Sequence, residues 1–516
     1  MRALPQIVAV VAAVLIALPG VVAAQEQPRV GGTLKIAMIG EPPTLDLHTT
    51  TAVITQQIMW HVFETLYTYD KNYAPIPLLA ESHAVSDNGR TYTFKLRRGV
   101  KFHNGRDMNA EDVVLSLKRW GKLATPGKAI FRNVEGVEAK DPLTVAMYLK
   151  EPSAIILMGL SRPNNGAVIY PKEVMAAAGD TAIKDNIGTG PYRFVEHRPD
   201  RHIRLARFKE YSARSEPPNF FGGKRNAYLD ELRFIPVPDV AVRLAGAESG
   251  EYHFAQQIKQ DQYDRIKTIR SLVPSIIKPS GWSTAVLNHK QGIMTDKRIR
   301  QAVQAALDME PIMAAGFGNK AFYRVDPSLM HLETPQWHSK AGAELYNQRN
   351  PEKAKKLLKE AGYSGQPVRW ITTKEYEYMY KHALVAKQQL EGAGFTIDLQ
   401  VVDWATLVQR RNKPELFDIF STAITFNPEP ALNTGVQCNW PGWWCHEDKQ
   451  QWLDSASRET DLRKRKAMWD KVQTLFYEDV GRIKLGDWFG LQVHTKDVKG
   501  FVTSNEQAFF NVWLSK

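Results

Sequence analysis

The sequence predicts an α/β protein of two or three lobes that contain mixed sheets. The chain has 516 residues, more than a single hydrophobic core usually organises. Segments in which apolar residues alternate, as they do in strands, are interspersed along the whole chain with segments of helical apolar spacing. Apolar residues make up 43% and charged residues 24% of the sequence, the proportions of an ordinary globular protein.

The N-terminal segment, residues 1–24, predicts a cleavable secretory signal peptide. Arg2 is followed by an apolar run over 7–18, a Pro-Gly break and the small residues Val22-Ala23-Ala24. The run is short for a transmembrane helix, so a membrane anchor is the weaker interpretation. No cysteine closely follows the run, which excludes lipid attachment there. The mature chain is expected to begin near Gln25 and to be soluble outside the cytoplasm.

Four segments near the start of the mature chain have clear secondary-structure patterns. Residues 32–38 alternate as a strand does, and residues 55–69 carry apolar side chains at helical spacing. Residues 87–102 predict two short strands with turns. Residues 109–120 begin with a capping asparagine and two acids, which predicts a helix.

The later part of the chain continues the mixture of helices and strands. Residues 295–308 have an apolar stripe typical of an amphipathic helix. Residues 350–362 combine an asparagine cap, a proline in the first turn and a terminal glycine, which predicts a second helix. A third helix is predicted over 381–394, followed by a strand over 395–402.

Cys438 and Cys445 are the only cysteines of the chain, and they bracket Trp440, Trp443 and Trp444. In an exported protein, disulfides persist. The pair lacks the four-ligand pattern of a zinc site and the two-residue spacing of a dithiol oxidoreductase. A structural disulfide is therefore favoured over metal or redox chemistry.

The charge pattern gives little support for nucleic-acid binding. The net charge of +12 is spread along the chain, and the one dense basic run, 463–466, lies in a helical pattern typical of a solvated face. The glycine-rich segment 188–192 lacks the spacing of a phosphate-binding loop and predicts a turn. Histidines are scattered, so neither a metal site built by the protein nor a cofactor is expected.

Four segments carry a family resemblance: SDNGRTYTFKLRRGVKFHNGRDMNAEDVVLSLKRW, IGTGPYRFVE, YLDELRFIPVPDVAVRLAGAESGEY and VLNHKQGIMTDKRIRQAVQAALD. In this order they resemble the extracytoplasmic solute-binding proteins of family 5, which include dipeptide-, oligopeptide- and nickel-binding components of ABC transporters. The resemblance extends over residues 32–512. It implies a type II periplasmic-binding-protein fold of two lobes with mixed sheets, joined by crossing segments, and a subdomain inserted in the first lobe.

The resemblance also implies domain boundaries for the mature chain. The first lobe is expected to comprise 25–68, 186–271 and 485–516, with the inserted subdomain at 69–185 and the second lobe at 272–484.

The function implied by the resemblance is that of a substrate-binding component of an ABC importer, not an enzyme. Such a periplasmic monomer captures a peptide or peptide-like solute between its lobes and delivers it to a permease in the inner membrane. A non-peptide solute, such as an opine, an oligosaccharide or a metal chelate, is the alternative. A chaperone-like peptide holder would use the same cleft. A secreted hydrolase is less favoured, because Gly-x-Ser-x-Gly and His-Glu-x-x-His motifs are absent.

Alignment on Phe417-Asp418 implies where a ligand is held in the second lobe. In peptide-binding relatives the strand that follows supplies main-chain groups to the peptide, here around Ala423 and Thr425. Asn427 stands where those relatives carry an aspartate for the peptide's α-ammonium, and no aspartate occurs between Asp418 and residue 448. Glu429 is the alternative carboxylate. The missing aspartate weakens the simple dipeptide hypothesis.

Further candidates follow from the same alignment. Arg411 lies where oligopeptide relatives carry an arginine and is a candidate partner for a ligand carboxylate, with a surface position as the alternative. Trp440, Trp443 and Trp282 offer aromatic faces for a ligand, but tryptophans also fill cores. The small hydroxyl residues Thr49 and Thr50 follow the first strand and complete the set of predicted contacts.

Overall fold

The computed structural model describes residues 27–459, 461–504 and 506–515 of the 516-residue chain. The predicted signal peptide, residues 1–24, lies outside these ranges. Within them, every helix is too short or too polar to cross a membrane.

Strands and helices alternate along the described chain. The strands are β1 (Thr33–Met38), β2 (Tyr67–Tyr69), β3 (Pro75–Pro77), β4 (Ala80–Ser86), β5 (Thr91–Leu96), β6 (Val134–Asp141), β7 (Thr144–Leu149), β8 (Tyr192–Arg198), β9 (His202–Arg207), β10 (Glu231–Pro236), β11 (Phe254–Ala255), β12 (Leu272–Leu287), β13 (Tyr323–Arg324), β14 (Pro367–Thr372), β15 (Thr396–Val401), β16 (Ile419–Thr425), β17 (Ile483–Thr495), β18 (Val498–Lys499) and β19 (Trp513–Leu514). The α-helices are α1 (Val53–Met59), α2 (Ala110–Leu123), α3 (Thr125–Phe131), α4 (Ile156–Ser161), α5 (Lys172–Ala178), α6 (Val240–Ser249), α7 (Tyr263–Lys267), α8 (Lys297–Ala306), α9 (Met309–Phe317), α10 (Pro351–Glu360), α11 (Glu377–Gly392), α12 (Trp404–Arg410), α13 (Glu447–Arg458) and α14 (Leu462–Glu478).

The main sheet has eleven strands in the order β15-β14-β16-β12-β17-β11-β1-β10-β9-β8, with β13 also paired to β17. Parallel pairs occur on both sides of its centre, β1 with β10 and β14 with β15, while β12 and β17 are antiparallel. We call the half that contains β1 and β8–β11 the first lobe and the half that contains β14–β16 the second lobe. The predicted α/β class with mixed sheets is confirmed.

The long strands β12 and β17 join the two lobes. Their pairing runs from Leu272↔Thr495 in the first lobe to Ala285↔Ile483 in the second, with a register shift between Ile277 and Gly281. A register shift locally interrupts the ladder and bends the strand. The crossing between the lobes is therefore made by two adjacent strands with an irregularity at mid-length.

A separate sheet, β4-β5-β7-β6, packs against α2 and α3 around its own apolar core. Trp120 and Phe94 are fully buried in this core. The sheet lies within the segment predicted as an inserted subdomain. The individual domain boundaries given above remain predictions.

The helix predicted over 55–69 is wrong in its extent, because α1 ends at Met59 and β2 occupies the end of the segment. Tertiary hydrogen bonds replace helical ones: the carbonyl of His61 accepts from the amide of Tyr192, and that of Val62 from the amide of Gly190. A Cβ at Gly190 would lie 2.4 Å from the His61 carbonyl oxygen, so this close approach requires glycine.

Other predicted elements are confirmed with small shifts. Asn109 caps α2 and forms a capping box with Asp112. Asn350 caps α10, and the strand predicted over 395–402 is β15. The second of the two short strands predicted over 87–102 is reduced to an isolated bridge between Lys101 and Asp107.

Candidate ligand-binding cleft

A cavity lies between the two lobes, beside the crossing strands, and encloses about 730 Å³, part of it open to solvent. Its walls are Ile39, Thr51, Val53, Gln57, Asn164, Gln256 and Gln257 on the first-lobe side, Ser280 and Trp488 on the crossing strands, and Tyr376, Tyr378, Met379, Trp404, Arg411, Thr422, Ala423, Thr425, Thr434 and Trp440 on the second-lobe side. We call this cavity the cleft.

The second-lobe wall contains a strand edge without a partner. β16 is paired with β12 over the whole length of β16, from Ile419 to Thr425. On its other edge, β16 is paired with β14 only at Ile419 and Phe420. Over residues 421–425 the edge facing away from β12 has no paired strand within the described chain. An open edge presents main-chain donors and acceptors to an extended ligand. Ala423 and Thr425 lie on this segment and line the cleft.

Arg411 is the central charged group of the cleft. Its side chain is buried, with 5% of the residue exposed, and has no carboxylate partner within the described chain. Its Nη2 donates to Thr51 Oγ1 at 3.2 Å, and its Nε lacks a hydrogen-bond partner. Burial lowers its pKa to about 10, because a desolvated cation is disfavoured. An anion in the cleft would satisfy this guanidinium.

Aromatic rings surround Arg411. Its guanidinium lies 5.8 Å from the ring centre of Trp404 and 5.3 Å from that of Trp440. Tyr376 packs edge-on against Trp404 at 4.9 Å. The indole N–H groups of Trp404 and Trp488 are buried without an acceptor. The cleft therefore offers apolar faces and unsatisfied donors together, the combination typical of solute sites.

The first-lobe wall is amide-rich. Gln256 accepts from the amide of Ile39 at 3.2 Å and donates to Gln57 at 3.0 Å and Gln507 at 3.2 Å. These bonds fix the side chain of Gln256 in the cleft wall. The wall is neutral, so the guanidinium opposite it dominates the local charge.

The disulfide predicted between Cys438 and Cys445 is present and closes the tryptophan-rich loop. Within the loop, Trp440 is turned toward the cleft and lies 4.6 Å from the guanidinium of Arg482. Trp444 is buried and donates to Asp479 at 2.8 Å. The closed loop thus holds one of its three tryptophans in the cleft wall.

The predicted ligand contacts divide into two groups. Ala423, Thr425, Arg411 and Trp440 come together in the cleft. Trp282, Trp443, Thr49, Thr50 and Asn427 lie outside its walls.

Strand alternation explains the position of Trp282. It is 1% exposed, pairs with Ile424 in the register of β12 and β16, and packs edge-on against Phe476. Its neighbour Ser283 pairs with Ala423, so the two pairs face opposite sides of the sheet. Trp282 consequently fills the core, which was the alternative interpretation.

The other residues outside the cleft are held by local contacts. Trp443 packs on Phe417, with the ammonium of Lys290 5.3 Å from its ring. Thr49 donates to the carbonyl of Asp46, and the hydroxyl of Thr50 accepts from a nearby amide in the same turn. The next threonine, residue 51, is the one that reaches the cleft. Asn427 lines a smaller adjoining cavity instead.

Sequence analysis missed several cleft residues, among them Tyr376, Tyr378 and Gln256. The aromatic-rich stretch 376–380, which forms the N-cap and first turn of α11, was the available signal for the two tyrosines. Gln256 carries no comparable signal. Within the described ranges, no three His, Cys, Asp or Glu side chains are grouped so that they could hold a metal ion.

Two lobes joined by paired crossing strands, with a cavity of aromatic and unsatisfied polar groups between them, define a two-lobed solute-binding protein. The sequence model of the bacterial extracellular solute-binding proteins, family 5, matches residues 74–440, and the chain belongs to this family.

Two relatives match most of the chain. A probable peptide ABC transporter periplasmic-binding protein of Sinorhizobium fredii is 25% identical over 524 residues, covering 96% of each chain. The glutathione-binding protein of Escherichia coli O157:H7 is 26% identical over 483 residues, covering 89% of each chain.

Solved structures share the fold. The Bacillus subtilis oligopeptide-binding protein in complex with a nonapeptide has a TM-score of 0.82 at 21% identity, covering 95% of this chain and 100% of that one. A protein of A. tumefaciens R10 in complex with agropinic acid has a TM-score of 0.82 at 22% identity, covering 94% and 99%. The predicted two-lobed periplasmic-binding-protein fold is thereby confirmed.

Proposed function

We propose that this protein is the substrate-binding component of an ABC importer and captures a peptide or peptide-like solute that bears a carboxylate. The observation that carries the proposal is Arg411, a buried guanidinium in the cleft without a carboxylate partner within the described chain. A buried charge without a counter-ion is costly, and a planar guanidinium matches a carboxylate in two parallel hydrogen bonds. A ligand carboxylate supplies the missing partner.

The open edge of β16 favours a peptide over a sugar. Main-chain groups at 421–425 lie beside Arg411 in the same cleft. An extended peptide pairs with such an edge whatever its side chains are, which suits a receptor of broad specificity. We propose Ala423, Thr425, Arg411 and Trp440 as ligand contacts, with the carboxylate at Arg411.

Binding is proposed to proceed by closure of the two lobes, with the domain boundaries given above. A ligand that contacts both lobes stabilises the closed state, and the irregular middle of β12 and β17 is where bending requires the least rearrangement. The ligand is released unchanged to an inner-membrane permease. The protein acts as a periplasmic monomer after removal of the signal peptide, and no turnover is expected.

The relatives support a peptide-like cargo but leave its chemistry open. Their names include peptide, glutathione and opine binders. All of these solute classes contain members with a carboxylate. An opine is therefore the second candidate, because it would also pair with Arg411.

Thermal unfolding of the mature protein tests the proposal. Randomised tripeptide and pentapeptide pools, glutathione, agropinic acid, maltotriose and a nickel–histidine complex are added separately. A ligand well above its dissociation constant raises the melting temperature through preferential binding to the folded state. C-amidated pools are tested beside the free pools, and the free peptides are expected to give the larger shifts. Shifts with maltotriose alone, or hydrolysis of the peptides, would overturn the proposal.

A further inference from the structure

A smaller cavity adjoins the cleft and shares Asn164 and Thr425 with it. The space between its walls is narrow, about 310 Å³ with the part open to solvent included, and its walls come from both lobes. Phe426 and Asn427 lie on the second-lobe side, at the end of β16. The opposite side includes Glu506, on the C-terminal segment that Gln507 ties to Gln256. A ligand extending along β16 would reach this cavity at the end of the open edge.

Glu506 is a buried carboxylate without a counter-ion. The residue is 7% exposed, and within the described ranges its carboxylate makes no ion pair and accepts a hydrogen bond from its own main-chain amide. Buried carboxylates are normally paired, because the isolated charge is strongly disfavoured away from water. This carboxylate instead faces a cavity that opens into the ligand cleft.

The second-lobe side chains at this position are already engaged. Asn427 accepts from the amide of Glu429 at 2.9 Å and donates to the carbonyl of Leu432 at 3.2 Å, so its amide stabilises its own turn. Glu429 pairs with Arg465 at 2.6 Å and caps the following turn through the amide of Ala431. Asn427 carries no charge, and Glu429 does not line the small cavity.

The aromatic walls of the small cavity also suit a cation. Tyr73 lies edge-on to Phe426 at 4.8 Å and to Tyr69 at 6.2 Å. Ring faces attract organic ammonium groups. Arg162 is the only cationic side chain among the described residues that line the cavity. Its guanidinium donates to main-chain carbonyls, and it makes no ion pair with Glu506.

We infer that Glu506, on the first lobe, is the counter-ion for the α-ammonium group of the bound peptide. The inference rests on the proposed function, because it places the peptide's amino end in the small cavity while its carboxylate pairs with Arg411. The carboxylate that peptide-binding relatives supply from the second lobe would thus be supplied here from the opposite wall. Binding at both ends would then join the two lobes through the ligand's charges.

The ionisation of Glu506 makes the inference testable by pH. Burial raises its pKa to about 7 in the empty protein, so the carboxyl group is largely neutral at pH 5. An ammonium group binds the ionised form. The peptide's own α-amino group has a pKa near 8 and is about half protonated at pH 8. If only the ionised carboxylate and the protonated amine pair, affinity for a free-amine peptide falls by about 40-fold between pH 8 and pH 5.

The contribution of Glu506 to the pH dependence of binding must be distinguished from that of other ionisable groups near the cavity. The ionisable side chains that line it or interact with its tyrosines are Tyr69, Tyr73, Arg162, Glu429 and Glu333. Burial raises the pKa of both tyrosines and lowers the pKa of the arginine, and none of the three changes charge between pH 5 and pH 8. Both glutamates are paired with arginines, and burial raises the pKa of Glu429. Glu506→Gln removes only the invoked carboxylate and serves as the baseline.

The experiment uses randomised tripeptide pools in three forms: free, N-acetylated and C-amidated. Apparent dissociation constants are measured from tryptophan fluorescence for the wild type, Glu506→Gln and the exposed control Glu81→Gln, at pH 5 and pH 8. At pH 8 the wild type and the control are expected to prefer the free pool over the acetylated pool by about 10-fold or more. In Glu506→Gln the two pools should bind equally, and the pH dependence should disappear.

Each other outcome has a defined meaning. Equal binding of free and acetylated pools by the wild type overturns the role of Glu506 and leaves peptide capture intact. The role of Glu506 is also overturned, with peptide capture intact, if Glu506→Gln still prefers the free pool. The same conclusion follows if Glu506→Gln binds none of the three pools. Binding of no pool by the wild type overturns both the inference and the proposed function. The wild-type pH and acetylation results stand even if the variant folds poorly.

Discussion

Arg411 and Thr51 are hydrogen-bonded across the cleft, with Nη2 of the arginine 3.2 Å from Oγ1 of the threonine. The arginine follows α12 in the second lobe, and the threonine precedes α1 in the first. A single neutral acceptor is a poor match for a buried guanidinium. The contact therefore links the lobes while leaving most of the hydrogen-bonding capacity of Arg411 for a ligand.

Replacing Arg411 with alanine is expected to weaken binding of the free tripeptide pool by on the order of 2 kcal/mol or more, because a buried ligand carboxylate would lose its partner. The C-amidated pool, which has no terminal carboxylate, should lose much less. Calorimetric titration measures both affinities. The adjacent Arg410, which bonds to Gln400 and to a backbone carbonyl, provides the control Arg410→Ala. Equal losses for the two variants would argue against the carboxylate site.

Trp440 and Trp443 form a natural comparison, since both lie in the loop closed by the disulfide but only Trp440 lines the cleft. Trp440→Ala is expected to reduce peptide affinity by about 1–2 kcal/mol through loss of ring contact. Trp443→Ala removes a ring that packs on Phe417 and should leave affinity nearly unchanged. Fluorescence titration measures the peptide affinity of both variants. A larger loss with Trp443→Ala would place the ligand elsewhere.

The disulfide is expected to stabilise both the fold and the cleft wall. Thiol labelling without reductant should modify neither Cys438 nor Cys445 in the folded protein. The double variant Cys438→Ser/Cys445→Ser frees the loop, and the chain-entropy model gives a loss of about 2 kcal/mol in the free energy of unfolding for so short a loop. Peptide affinity should fall as well, because Trp440 loses its support. Chemical denaturation and titration measure the two effects, and unchanged affinity would show that the loop is held without the bridge.

Local sequence patterns sufficed for elements whose contacts are themselves local. The capping box between Asn109 and Asp112 is closed within one turn of α2, and the pattern predicted it. The bond between Cys438 and Cys445 likewise joins residues seven positions apart. Family resemblance, not periodicity, supplied the two-lobed architecture and the position of Arg411.

Features that depend on contacts between residues far apart in the sequence could not be predicted from local patterns. The apolar spacing over 55–69 suits a helix, yet bonds from the 190–192 segment to His61 and Val62 end α1 early. Trp282 and Trp440 are equally hydrophobic, and only the register of β12 on β16 assigns the first to the core. Glu506 and Asn427 line the same small cavity because the C-terminal segment packs on the first lobe, which no local pattern encodes.

The crossing strand β17 carries a buried ion cluster, completed by Arg324 of β13, that should contribute to acid sensitivity. Lys484 Nζ donates to Asp487 Oδ1 at 2.7 Å, and Arg324 Nη2 donates to Asp487 Oδ2 at 2.7 Å. Asp487→Asn leaves the fully buried ammonium of Lys484 without its carboxylate and is expected to cost about 3–5 kcal/mol. Asp107→Asn, at a carboxylate whose side chain is 70% exposed, should cost less than about 1 kcal/mol.

The difference in stability between the wild type and Asp487→Asn should depend on pH through the pKa of Asp487. Burial alone raises that pKa, but Lys484, His331 and Arg324 together hold it below the ordinary value. The stabilisation by the ionised carboxylate is thus complete above the pKa of the unfolded side chain, about 3.9, and is lost as the pH falls through the lower folded value. Urea unfolding at pH 7 and at pH 3 or below should show the difference between wild type and Asp487→Asn shrinking in acid. A difference independent of pH would mean that packing, not charge, accounts for the loss.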